Sequence, residues 1–62
     1  MDKLYSWTIR RAGAGITVSH SCGKITGVVE VKPEWTGGDA SGTGAVPAIV
    51  ATGRDGRKFE LA

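Results

Sequence analysis

The chain has 62 residues, with eight Lys and Arg against six Asp and Glu, a net charge of +2 and one cysteine. That length holds one domain at most, residues 1–62, and so short a domain buries only about 60% of its unfolded surface. An internal disulfide is excluded, no Cys/His set reaches four-ligand metal spacing, and no apolar run approaches the length of a membrane span. Stability must therefore come from a compact core, from self-association or from a partner.

The mild positive charge is that of an ordinary soluble protein. It permits a polyanion partner without arguing for one, since dedicated nucleic-acid binders show a larger excess or clear clustering. The N-terminal Met-Asp-Lys-Leu-Tyr-Ser-Trp lacks the apolar core of a signal peptide. With a lone thiol suited to reducing conditions, a cytoplasmic location is expected.

In chain order, Leu4 to Arg11 (LYSWTIRR) reads as the first strand, with Tyr5, Trp7 and Ile9 on one face, predicted inward. Ala12 to Gly15 forms a turn. Ile16 to Val31 (ITVSHSCGKITGVVEV) reads as a hairpin about Cys22-Gly23. That register pairs His20 with Ile25, Val18 with Gly27 and Ile16 with Val29 on the inner face. Gly27 interrupts a β-branched run and marks a bulge or sharp bend. Across the first turn, Ile9 falls opposite Val18 and Trp7 opposite His20. Both hairpins then agree on which face is inside, which supports a three-stranded meander.

Residues 33–45 (PEWTGGDASGTGA) read as a flexible Gly-rich loop with one anomaly, Trp35. Val46 to Thr52 is a strand apolar on both faces, and Pro47 near its start suits a first-residue or edge position. Arg54-Asp55-Gly56 is a turn leading to a last strand, Arg57 to Leu61, with Phe59 and Leu61 inward. Its register is open: a two-residue loop pairs Thr52 with Phe59, and a three-residue loop pairs Ala51 with Phe59. No segment carries a capped helical period. The fold class expected is all-β, a small five-stranded and strongly bent antiparallel sheet or partly open barrel, SH3-like or OB-like.

Chemistry-bearing groups are few. His20 and Cys22 stand two apart, but one lies at the core rim and the other in a turn, and no third group orients the pair. The Gly-rich stretch lacks the Lys-Ser/Thr ending and following helix of a phosphate loop, and neither Asp39 nor Asp55 has companion oxygens for a metal. No catalytic residue, cofactor, metal or small-molecule substrate is expected. Gly23 to Val29 (GKITGVV) resembles the KOW motif of ribosomal and transcription proteins: a basic Gly-rich turn followed by a β-branched strand. The resemblance covers under a third of the chain and implies an RNA or ribonucleoprotein surface near Lys24; family membership is not inferred from it.

The function expected is a non-enzymatic module for protein–protein association or a structural or accessory role of bacterial or phage type, homo-oligomeric or bound to a protein partner. It would present Trp35 or a sheet edge. The alternative is a nucleic-acid-binding barrel using Arg10, Lys24, Lys32, Arg54, Arg57 and Lys58.

Overall fold

The computed structural model describes residues 2–62. Six strands follow one another: β1 (Asp2–Leu4), β2 (Thr8–Ala12), β3 (Gly15–His20), β4 (Gly23–Thr36), β5 (Val46–Gly53) and β6 (Lys58–Leu61). They form one sheet in the order β1-β6-β5-β4-β3-β2. From β2 to β6 the sheet is an antiparallel meander, while β1 lies parallel to β6, Asp2 against Phe59 and Leu4 against Leu61. The described residues contain no helix, so none is long and apolar enough to cross a membrane.

This order forces curvature. β1 and β2 occupy opposite edges, yet only Tyr5, Ser6 and Trp7 join them. The four steps from Leu4 to Thr8 span at most about 14 Å, whereas the outer strands of a flat six-stranded sheet lie about 24 Å apart. The sheet is accordingly a strongly curled half-barrel. Three hydrogen bonds fasten the crossing: the Ala62 N–H donates to the Leu4 carbonyl (2.9 Å), the Ser21 N–H to the Tyr5 carbonyl (3.0 Å), and the Trp7 indole N–H to the Ala62 carbonyl (2.8 Å).

The sheet thus has one strand more than the five expected. Leu4–Arg11 is not one strand, because Ser6 takes a left-handed backbone (φ 53°) that breaks the extended run. The break carries Tyr5 outward, leaving it 56% exposed, while Trp7 stays half-buried against the core. Leu4, on the far side of the break, is a core residue.

The core lies on the concave face: Leu4, Ile16, Val18, Val28, Ala51, Phe59 and Leu61, with Trp7, Ile25, Val31 and Ile49 packed at its margin. Ile9 pairs with Val18 as expected, but on edge strand β2 it remains 41% exposed. The central hairpin departs from its predicted register. His20 pairs with Gly23 and Val18 with Ile25, so the turn is Ser21-Cys22 and not Cys22-Gly23. Further on, the pairing slips between Val18 and Ile16, which meets Val28. Gly27, with φ 73°, supplies the left-handed residue at this bulge. Side-chain parity is inverted beyond it, so Val28 is fully buried and Val29 is 51% exposed, the reverse of the expectation. In the last hairpin the three-residue alternative is realised, with Ala51 on Phe59 and Ile49 on Leu61. Gly56 (φ 87°) completes that turn, its N–H donating to the Gly53 carbonyl at 3.0 Å.

β5 is buried on both faces, as its composition implies. Ala51 faces the core, and Val50, on the convex face, is also fully buried. Its register neighbours on that face are Lys32 and Glu60. Around it run three ion pairs: Lys58–Glu34 at 3.0 Å, Lys32–Glu30 at 3.3 Å and Lys3–Glu60 at 3.5 Å.

Candidate functional site

β4 is the longest strand, and its far half projects. Residues predicted as loop, Pro33 to Thr36, continue β4 and pair with Ile49, Ala48, Pro47 and Val46 of β5. The loop is therefore shorter than 33–45 and begins at Gly37. β3 accompanies β4 only as far as Val28, and β6 accompanies β5 only as far as Ile49. Beyond those points β4 and β5 form a two-stranded ribbon with both edges bare. The molecule measures 39 × 22 × 15 Å.

Side chains of the ribbon alternate between two surfaces. Val31, Pro33 and Trp35 share a face with Ala51, Ile49 and Pro47, so this surface continues the core outward. Lys32, Glu34 and Thr36 form the opposite, polar surface, where the Thr36 hydroxyl donates to Glu60 Oε1 at 3.2 Å. Trp35 is 74% exposed, the most exposed large hydrophobic residue of the described chain, whereas Val46, paired with Thr36 on the polar surface, is 57% exposed. Pro33, Pro47, Ala48, Ile49 and Leu61 line a shallow groove of about 280 Å³, which includes Pro47, the register partner of Trp35.

The two prolines also settle the character of the ribbon's edges. A hydrogen-bonded antiparallel pair needs an amide proton from each member, and proline has none. Pro33–Ile49 and Trp35–Pro47 are therefore non-hydrogen-bonded pairs whose backbone groups point to the outer edges. The Gly53 N–H, of the same parity as Pro47, does point to that side, donating to Arg57 at 2.7 Å. Each bare edge thus carries a proline where it would otherwise offer a donor, a standard protection against added strands. The side-chain surface around Trp35 remains the ribbon's available feature.

The basic residues do not converge. Lys32 and Lys58 lie on the convex face, each in an ion pair. Arg10 faces the same way from edge strand β2, opposite Thr17, and Lys24 stands opposite Ser19. Arg54 and Arg57 sit apart from these, at the end of the half-barrel remote from Trp35, lining a second pocket. The Lys32–Glu30 pair follows from alternation within β4, whereas the Lys58–Glu34 pair depends on how distant strands are brought together, which sequence reasoning could not supply.

His20 and Cys22 make a turn contact. The Cys22 N–H donates to His20 Nδ1 at 3.3 Å, and the thiol is exposed beside the Ser21 hydroxyl at 3.8 Å. That ring nitrogen is occupied by backbone, so it is not available to activate the thiol. In the loop, Asp39 Oδ1 accepts from the Ser41 hydroxyl (2.7 Å), the Thr43 N–H (2.9 Å) and the Ser41 N–H (3.0 Å). The Ser41 hydroxyl, then the Thr43 amide, hold its carboxyl below the usual range. This local network organises the loop. Among the described residues no group of three or more His, Cys, Asp or Glu is placed to hold a metal ion.

Comparison with known proteins adds no relative: no family model, no curated protein and no solved structure matches the chain.

Proposed function

We propose that the protein is a non-enzymatic association module that pairs with a second copy of itself through the β4–β5 ribbon. The observation that carries this reading is Trp35, 74% exposed on the apolar surface of a projecting ribbon. Aromatic side chains of this kind are the usual anchors of protein interfaces. A chain of 62 residues with eight buried hydrophobic side chains also gains more from a partner than a larger domain does. Contact is made by the Trp35–Pro47 surface and the groove that includes Pro47. Strand addition is disfavoured, because proline interrupts both edges.

Sedimentation across a range of concentrations tests the reading. The wild type should exceed its monomer mass of 6.4 kDa in a concentration-dependent way. Trp35→Ala should remain folded and weaken association by about 30-fold or more, the scale of an interface anchor. A wild type that sediments only as monomer, or a variant that associates equally well, overturns the proposal.

A further inference from the structure

The opposite end of the molecule holds a feature that self-association does not use. Ten strand positions separate Ile25 from Trp35, at most about 33 Å along β4. At the Ile25 end a pocket of about 240 Å³ is lined by Ile25, Gly27, Arg54, Asp55, Arg57 and Phe59, among others. Among the described residues Lys3, Lys32 and Lys58 each have a carboxylate partner; Arg54 and Arg57, like Arg10, Arg11 and Lys24, are in no ion pair, and Arg54 and Arg57 share one pocket. Arg57 is held in place nonetheless, its guanidinium over the Phe59 ring at 5.2 Å from the centroid. Arg54 is anchored by its backbone, its N–H donating to the Gly27 carbonyl at 2.9 Å. The wall at Gly27 is open, since a Cβ there would meet nothing within 4 Å.

Asp55 does not answer this charge. Its Oδ1 accepts the Arg57 N–H at 3.1 Å, which fixes the turn. It leaves a local balance of one positive charge, with two arginines among the residues that line the concavity. Guanidinium forks match tetrahedral oxyanions through paired N–H donors. The pocket is below the roughly 300–1,000 Å³ of sites that enclose a drug-sized molecule, so it suits an anionic group whose remainder stays outside.

We propose that Arg54 and Arg57 form a binding site for a phosphoryl group. Its carrier is either a small phosphate ester or the backbone of a single-stranded nucleic acid, and binding at this end is independent of the Trp35 ribbon.

The test uses amide chemical shifts of the labelled protein titrated with inorganic phosphate at low salt, and fluorescence anisotropy with a labelled thymidine oligonucleotide. Phosphate should shift the amides of Gly27, Gly53, Arg54 and Gly56. Arg54→Gln and Arg57→Gln should each weaken binding about tenfold or more, and Arg54→Lys should recover it only partly, because a single ammonium cannot form the fork. Asp55→Asn keeps the turn acceptor, removes the opposing charge and should tighten binding several-fold. Lys58→Gln, on the convex face, should change nothing. An oligonucleotide that binds at least about tenfold more tightly than phosphate, with steep salt dependence, identifies nucleic acid as the carrier; equal affinity identifies a small ester. Should Arg57→Gln disturb Phe59 and lower the melting temperature, Arg54→Gln carries the test. Absence of shifts at low salt, or equal weakening by Lys58→Gln and Arg54→Gln, overturns the site.

Discussion

Replacing Trp7 by Phe probes the closure of the half-barrel. The change keeps an aromatic ring at the core margin and deletes the N–H that donates to the Ala62 carbonyl at 2.8 Å. A hydrogen bond of this kind contributes about 0.5–1.5 kcal/mol net. The Ala62 carbonyl stays near solvent once freed, since Ala62 is exposed, so no penalty for a buried orphan is added. The lost benzo ring removes roughly 40 Å² of surface, half of it buried, worth about 0.5 kcal/mol. The expected cost is therefore about 1–2 kcal/mol, or a fall in melting temperature of roughly 4–16 °C for a domain this small. Thermal denaturation followed by far-ultraviolet circular dichroism, at one fixed protein concentration, measures it. Hydrogen exchange adds a local readout: the Ser21 and Ala62 amides, which bond the Tyr5 and Leu4 carbonyls, should exchange faster, while the buried Val50 amide follows only global stability. An unchanged melting temperature, or exchange unaltered at Ser21 and Ala62, would refute the role given to this crossing.

Other expectations rest on separate features. Trp35→Ala should cost the isolated fold no more than about 1.6 kcal/mol, because only about a quarter of a surface of roughly 250 Å² is buried there; denaturant unfolding giving a loss near 4 kcal/mol would place the ring in the core instead. Val28→Ala should destabilise by about 2 kcal/mol, whereas Val29→Thr, at a half-exposed position, should stay within about 0.5 kcal/mol; equal costs in chemical denaturation would contradict the parity set by the Gly27 bulge. Gly27→Ala should cost about 1–2 kcal/mol from its left-handed backbone alone, and Gly27→Asn less, by the same measurement. Asp39, held by Ser41 and then Thr43, should titrate below an ordinary aspartate in a carbon-detected pH series. Its depressed value means that its contribution is complete above the unfolded pKa and is lost as pH falls through the folded one; a normal titration would show that the loop bonds do not form in solution.

Much of the sheet was legible in the chain because neighbouring strands are joined by short turns. Ile9 against Val18 and Thr8 against Ser19 follow from the first turn and from alternation alone. Phe59 and Leu61 inward, and the three-residue option at Arg54-Asp55-Gly56, were available in the same way. Gly27 was recognisable as a bulge, but not the register change around it, so Val28 and Val29 exchanged faces. The candidate site was half visible: Trp35 stood out by residue type, yet its strand could not be seen.

The amino-acid sequence by itself determined the all-β class, the antiparallel meander and the convex-versus-concave allocation of most side chains, since these depend on contacts between segments a few residues apart. Only the tertiary structure decided that Asp2–Leu4 breaks away at Ser6 to lie parallel to β6, joining the two ends of the chain. It alone decided that Pro33–Thr36 remains a strand, because Val46–Ile49 is there to pair with it. It also gave Lys58 a carboxylate partner, Glu34, from another strand, while leaving Arg54 and Arg57 without one. Pairing between distant segments leaves no local period, and an extended residue with few intrinsic preferences adopts the conformation its partner strand supplies.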